Sequence, residues 1–370
     1  MRRLISFRDF DWLLLTFILI ICALGVLEIY STTYGTKFAG AHIRQIYWIL
    51  AGLVVMLAVS LINYQILLEN ANWLYFAAVG SLLAVALFGK KYLGARRWIQ
   101  LPGGQHFQPS EWVKLVLILM LAKHFSGQGE REDASLSDIL KAGLIAGVPM
   151  LLVLKQPDLG TALTYVPVAL MGLFLGGIQF RHAATILLIA GVLMPTLWIY
   201  GPRMHLLKQY QKDRLTSFLH PEADSQKTGY QLEQSKIAVG SGGIWGKGVR
   251  KGTQTQGSFL PEPHTDFIFA AWSEEHGFVG AVALLLLYFL VLMRLIHNAQ
   301  TAPDSAGGFV VMGVVAVLLF HILVNAGMVV GFMPVTGIPL PLMSYGGSSV
   351  LFMFLALGIV MNIRMRRFVN

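Results

Sequence analysis

The stretch Leu260-Pro-Glu-Pro-His264-Thr-Asp266-Phe-Ile-Phe-Ala-Ala-Trp-Ser-Glu274-Glu275-His-Gly277 carries the chain out of a long polar, basic segment and into an apolar run that continues to residue 294. A run of that length is a membrane crossing, because about 20 helical residues span the ~30 Å hydrocarbon layer. Asp266 then stands where the segment meets the membrane surface. An ionisable group at that depth is costly unless it is paired or faces a cavity, so by default it marks a functional site.

The remainder of the chain repeats the pattern. Of the 370 residues, 55% are hydrophobic and 13% charged, against about 25% charged in soluble domains. About ten apolar runs are long enough to cross, at residues 12–31, 45–62, 73–89, 109–125, 141–155, 158–178, 183–200, 266–294, 309–331 and 346–363. Their interior Pro149, Pro195 and Gly172/Gly176 suit helices, and no strand-like alternation of the membrane-barrel kind occurs. Gly172 and Gly176 are expected to serve helix packing. The expected fold is an all-α integral membrane protein, one polytopic domain over residues 1–370, with a large extracytoplasmic loop, 202–264, between the seventh and eighth spans.

The basic flank Met1-Arg-Arg-Leu-Ile-Ser-Phe-Arg8 precedes an apolar run longer than the core of a cleaved signal, so the first helix is expected to be retained. Cys22 is the only cysteine, which excludes an intramolecular disulfide, a cysteine metal cluster and a thiol pair. Ten crossings put both termini on one side, and Arg2, Arg3 and Arg8 with Arg364, Arg366 and Arg367 place that side in the cytoplasm.

The other charges run against that bias, with more of the 28 Lys and Arg falling outside than inside. Lys90, Lys91, Arg96 and Arg97 lie in the 90–108 loop; Arg203, Lys208, Lys212, Arg214, Lys227, Lys236, Lys247, Arg250 and Lys251 lie in 202–264. Attraction to anionic headgroups is one explanation. An anionic substrate at the outer face, with Arg and Lys aimed at phosphate oxygens, is the more specific one. The 202–264 loop, glycine-rich over 240–248, suits a partly mobile segment carrying short amphipathic helices.

Several polar groups accompany the loops. Gln108-Pro-Ser-Glu111-Trp-Val-Lys114 opens the fourth span with a carboxylate and an ammonium three residues apart, a spacing that favours pairing over direct catalysis. In Gln156-Pro-Asp158-Leu-Gly160-Thr161, Asp158 is suited to capping the next helix, which explains it as well as catalysis would. Glu274 and Glu275 either line a cavity or pair with neighbouring helices, and His321 and Asn325 are read as interhelical hydrogen-bonding groups. Ser241-Gly-Gly-Ile-Trp-Gly-Lys247-Gly248 lacks the residues of a phosphate-binding loop at both ends. No zinc-protease helix and no nucleophile elbow is present.

Five blocks in order carry a resemblance: Arg97-Trp98 with Phe107-Gln-Pro-Ser-Glu111-x-x-Lys114; Gln156-Pro-Asp158-Leu-Gly-Thr161; Gly229-Tyr230-Gln-x-x-Gln-Ser235-Lys236-Ile-Ala-x-Gly240-Ser-Gly-Gly243; Leu260-Pro-Glu-x-His264-Thr-Asp266-Phe-Ile-Phe269; and Pro334-x-x-Gly337-Ile-Pro-Leu-Pro341-Leu-Met-Ser344-Tyr-Gly-Gly-Ser348. Together they resemble the SEDS proteins (shape, elongation, division and sporulation), bacterial integral-membrane peptidoglycan glycosyltransferases. Gly252-Thr-Gln-Thr-Gln256 and the short termini are similar to the rod-elongation branch of that family rather than to its division branch.

The resemblance implies lipid II as substrate. The 4-hydroxyl of an acceptor N-acetylglucosamine attacks the anomeric carbon of the donor N-acetylmuramic acid and expels lipid pyrophosphate with inversion. Asp266 matches the family's essential aspartate and takes the role of general base; holding a metal is the other role open to it. A base contributes ~10²–10⁴-fold, so stabilising the departing pyrophosphate by cations or a metal carries more of the rate. Arg97, Arg214, Lys236 and Lys114, in that order, are the candidate cations. Glu111, Asp158, His264 and Ser344 join them as candidates that shape the substrate site. The resemblance further implies a divalent cation, Mg²⁺ or Mn²⁺, without an organic cofactor. Its implied partners are membrane lipids and a single-pass class B penicillin-binding transpeptidase, with no nucleic acid, and its implied place is the bacterial cytoplasmic (inner) membrane.

A rival from another class is a transporter that flips lipid II or another amphiphile, which would also use Glu111, Lys114, Asp158, Glu274 and Glu275. Such sites lie near the midplane, often between inverted repeats. No repeat is evident here and the motif blocks sit at the outer boundary, which favours surface chemistry. A noncatalytic scaffold for a synthase would not need Asp266 to ionise.

Overall fold

A computed structural model describes residues 9–92, 95–100, 106–127, 133–200 and 228–367. Helices α1 (Trp12–Thr33), α2 (Ala41–Leu61), the short α3 (Tyr64–Glu69) and α4 (Ala71–Phe88) come first. An antiparallel ribbon follows in the basic 90–108 loop, β1 (Lys90–Tyr92), β2 (Ala95–Gln100) and β3 (His106–Phe107), ordered β1-β2-β3. Next are α5 (Pro109–Ser126), α6 (Leu136–Lys155), α7 (Leu159–Leu175) and α8 (Phe180–Tyr200). The last described part holds α9 (Thr228–Ser241), α10 (Thr253–Gln256), α11 (Ile268–Gln300), α12 (Ser305–Val329) and α13 (Gly347–Arg366). Arg214 lies outside the described residues.

A helix occupies every apolar run read from the sequence. Seven of them, α1, α2, α4, α6, α11, α12 and α13, are long and apolar enough to cross a membrane. The α7 helix is shorter, at 17 residues, and α5 carries Glu111, Lys114 and Lys123. The chain is an all-α membrane protein apart from its small ribbon.

Helix starts are fixed by side chains that accept otherwise orphaned N–H groups. Asp11 Oδ1 accepts the Leu14 amide at 3.2 Å, Asp158 Oδ1 that of Thr161 at 3.2 Å, and Asp304 Oδ1 that of Gly307 at 2.7 Å. Ser135 and Asp138 form a reciprocal capping box at the start of α6. Asp158 therefore caps α7, as its sequence position predicts.

The centre of the bundle is α12, against α5, α7 and α11, and α13, against α2. Small residues allow these approaches. Ile118 seats against Gly313, and the Phe125 ring lies on Gly172 and Gly176, where a Cβ on Gly176 would come within 2.4 Å of it. The pair thus serves helix packing.

The run read as one span over 266–294 is two helices that meet at Gly277, whose φ of 67° and ψ of −166° break α11. Segment 242–248 fills the break: Phe278 and Val279 donate their amides to the carbonyls of Gly243 and Ile244 at 2.8 and 3.1 Å, and the Lys247 and Gly248 amides donate to those of Glu274 and Glu275 at 3.0 and 2.8 Å. A Cβ on Gly277 would lie 2.3 Å from Gly246 N, and one on Gly246 2.2 Å from Glu275 O. Only glycine fits either position. Within the 202–264 loop, the glycine-rich stretch 242–248 is hydrogen-bonded to the broken helix, which supplies partners for its backbone.

Candidate active site

Asp266 sits, half-buried, in the turn that leads into α11. Three successive carbonyls of that turn are held from elsewhere. The Tyr345 amide donates to His264 O at 2.9 Å, Ser344 Oγ to Thr265 O at 2.7 Å, and Asn325 Nδ2 to Asp266 O at 2.8 Å. The carboxylate is therefore carried on a backbone fixed by α12 and by the segment between α12 and α13.

That segment, residues 334–346, is irregular chain inside the bundle: Ile338, Leu340, Leu342, Met343 and Ser344 are all buried. Non-helical backbone at membrane depth is tolerated only where protein satisfies its polar groups. Pro339 and Pro341 remove two donors from the problem. Side chains from three helices then serve the acceptors. Asn325 Nδ2 donates to Ile338 O at 2.8 Å, Tyr288 OH to Pro341 O at 2.6 Å, and Gln45 Nε2 to Ser344 O at 3.1 Å. His321 Nδ1 lies 3.1 Å from Pro339 O, so that nitrogen bears the proton. The Ser344 hydroxyl both donates to Thr265 and accepts the Leu340 amide at 2.8 Å, which makes it a latch for the Asp266 turn.

His264 packs between the rings of Phe38 and Tyr345, with centroids 4.6 and 5.9 Å away. Burial holds its imidazole below the ordinary histidine range; Glu262 pulls upward and Arg44 pushes it down further. Its neutral ring supports the turn rather than adding a charge to it.

The remaining candidates form two further groups. Lys114, fully buried, places Nζ 3.0 Å from Glu111 Oε2, 3.3 Å from His321 Nε2 and 4.4 Å from the centre of the Phe352 ring. With the His321 proton on Nδ1, Nε2 accepts from the ammonium. Asp158 meets Gln108 Nε2 at 2.8 Å and Arg97 Nη1 at 3.7 Å, while Arg97 Nε is buried without a partner among the described residues. The structure links these groups to Asp266. His321 and Asn325 stand one turn, roughly 6 Å, apart on α12, one on Lys114 and the other on the Asp266 carbonyl; Gly160, beside Asp158, lies against Thr336 O of the irregular segment. Lys236 is not brought to them: it is exposed on α9, its stem over Gly331, and among the described residues nothing engages its ammonium by a hydrogen bond or ion pair.

Glu274 and Glu275 bind the 242–255 segment. Glu274 accepts Lys247 Nζ at 2.8 Å, the Gln254 amide at 2.8 Å and both the amide and hydroxyl of Thr255 at 3.1 and 2.8 Å. Glu275 Oε1 accepts Ser31 Oγ at 2.5 Å and the Arg250 amide at 3.1 Å. Lys247 is thus a structural counter-ion, and Arg250 stacks its guanidinium 3.4 Å over the Tyr34 ring. Gln45, Tyr288 and Asn325, which support the site, have a signature in the sequence after all: polar groups inside apolar spans need partners.

Among the described residues no three His, Cys, Asp or Glu gather as a metal-ligand set.

Comparison with known proteins agrees with the resemblance. Peptidoglycan glycosyltransferase MrdB of Escherichia coli K12 is 40% identical over 356 residues, 95% of this chain and 93% of that protein. Peptidoglycan glycosyltransferase RodA of Treponema pallidum is 34% identical, over 99% of this chain and all of that one. A solved structure describing the coordination of polymerization and crosslinking by a peptidoglycan synthase complex superimposes with a TM-score of 0.82 at 33% identity, over 97% of this chain and 98% of that one. The family of cell cycle proteins that unites FtsW, RodA and SpoVE matches residues 11–368. With the five motif blocks, the helices that carry them and this match over nearly its whole length in agreement, the chain belongs to the FtsW/RodA/SpoVE family.

Proposed function

We propose that this chain is a peptidoglycan glycosyltransferase that polymerises lipid II at the outer face of the bacterial cytoplasmic membrane during cell elongation, with Asp266 as its general base. The observation that carries the reading is the pinned turn: the Asp266 carboxylate stands half-buried on a backbone held through three successive carbonyls. A base must sit within hydrogen-bond reach of the proton it takes, and a fixed backbone makes that geometry reproducible.

In this reading the Asp266 carboxylate takes the proton of the acceptor 4-hydroxyl as its oxygen bonds to the donor anomeric carbon. The bond to the lipid pyrophosphate breaks with its electron pair, inverting the centre. Arg97 is our first candidate for the pyrophosphate, an assignment supported by its position beside Asp158 and by its buried Nε, unengaged among the described residues; Arg214 of the large loop is the second, and Lys236, remote from these groups, takes no part in this reading. Lys114, enclosed by Glu111, His321 and Phe352, holds the bundle centre and acts through His321 rather than on substrate. A Mg²⁺ or Mn²⁺ ion would be held by Asp266 and would supply positive charge for the departing pyrophosphate. We read the helices over all ten apolar runs as crossings, which would put both termini in the cytoplasm, and take a class B penicillin-binding transpeptidase as the partner. The membership of the similar structure in a synthase complex supports that pairing.

The test supplies purified lipid II to the purified protein with its penicillin-binding partner. Wild type should yield long glycan strands, and Asp266→Asn should lower the rate by at least ~10²-fold while keeping its elution profile and its partner. Strands from Asp266→Asn at the wild-type rate would remove Asp266 as base. Absence of strands from both, with lipid II moved across sealed vesicles, would establish the transporter instead.

A further inference from the structure

A cleft of about 500 Å³ opens where α4 begins, α5 ends and α6 begins, lined by Asn72, Met120, Lys123, His124, Asp138 and Lys141. Its volume lies within the ~300–1,000 Å³ of small-ligand sites. Lys123 stands nine residues beyond Lys114 on α5, so the cleft is roughly 14 Å further along that helix, toward the face opposite the one where α5 starts.

Its charge favours an anion. Lys123 Nζ donates to Glu69 O at 2.8 Å, which ties the ammonium to the rim and closes the last turn of α3. Lys141 is exposed, and among the described residues no hydrogen bond or ion pair engages it. The one acid in the lining, Asp138, is already used: it accepts Ser135 Oγ at 2.5 Å and the Ser135 amide at 3.1 Å, and faces His124 Nε2 at 3.7 Å.

The apolar surface beside it favours a lipid over a soluble anion. Trp73 and Phe76 on α4 are 75% and 67% exposed, and Leu140 and Leu144 on α6 are 60% and 66% exposed. These exposed apolar residues lie on the same turns of α4 and α6 as the lining residues Asn72 and Lys141. Tyr75 OH donates to Ile145 O at 3.0 Å and joins the two walls about one turn deeper. A Trp at such a boundary suits the headgroup level of a bilayer.

We infer that this cleft binds the phosphodiester headgroup of an anionic phospholipid of the leaflet at the α5 end, the inner one on the topology proposed above, with Lys123 and Lys141 on the phosphate and the acyl chains along Trp73, Phe76, Leu140 and Leu144. The site is separate from the catalytic turn, and its test does not depend on activity.

The experiment is native mass spectrometry of the purified full chain exchanged into phosphatidylglycerol, phosphatidylethanolamine or glycerol 3-phosphate. Wild type should retain phosphatidylglycerol in preference to phosphatidylethanolamine. A basic residue near an anionic lipid surface is worth enough that Lys141→Gln should lower retention about fivefold and the Lys123→Gln/Lys141→Gln pair about thirtyfold. Lys141→Gln guards against a folding artefact, because Lys141 holds no other element, and Lys37→Gln, removing an equal charge elsewhere, should leave retention unchanged. Equal retention by wild type and the pair, or equal retention of the two lipids, would overturn the site. Glycerol 3-phosphate displacing the lipid would reassign it to a soluble phosphate and overturn the lipid assignment.

Discussion

Asn325 uses both hydrogens of its amide on main-chain carbonyls, those of Asp266 and Ile338. Asn325→Leu keeps the volume and removes both donors, and each buried carbonyl left unpaired costs ~1–3 kcal/mol. The expected result is a clear drop in the thermal midpoint, with polymerisation more than tenfold down at temperatures where the variant is still folded; unchanged polymerisation would show that the turn holds itself. Spacing made some of these residues legible. Glu111 and Lys114 are three apart on a helix and do pair, and Asp158 stands at a cap position and does cap. Asn325 and Asp266 are 59 residues apart, and no local pattern brings them together. The sequence identified them as polar groups in need of partners without saying which.

At the scale of elements, the helices were readable because hydropathy averages over many residues, and that same averaging hides a break made by one. Gly277 interrupts α11 without altering its apolar character, so residues 242–248 read as free loop when they are the missing partner of a broken helix. Gly277→Ala would set a Cβ against Gly246 N and Ile244 O and force a side chain into positive φ, at a cost on the order of 3 kcal/mol. Limited proteolysis should then cut within 242–252 much faster than in wild type, whereas an unchanged cutting rate would show that the plug does not depend on the break. The inverted charge bias also gains a partial explanation here. Lys247 belongs to the outer loop in sequence but answers a buried carboxylate in the fold.

Over the whole molecule, the start of the first helix is tied to the ends of the last ones. Arg294 Nε donates to the two Asp11 oxygens at 3.0 and 2.9 Å, Asn298 Nδ2 donates at 2.9 Å, and Arg364 Nη1 lies 3.4 Å away. Asp11→Ala leaves Arg294 and Arg364 facing each other without the acid, and a loss of about 3 kcal/mol should appear as a lower unfolding midpoint. An unshifted midpoint would mean that water replaces the carboxylate. The irregular segment 334–346 bears on how the protein is made. Its carbonyls find donors on α2, α11 and α12, helices synthesised far apart, so the segment cannot settle until all of them are inserted and adjacent. The turn bearing Asp266 is therefore among the last features to form, and a nascent or half-inserted chain holds lipid-facing helices but no ordered Asp266 turn. The turn and the bundle thus reach their final form in one step rather than in sequence.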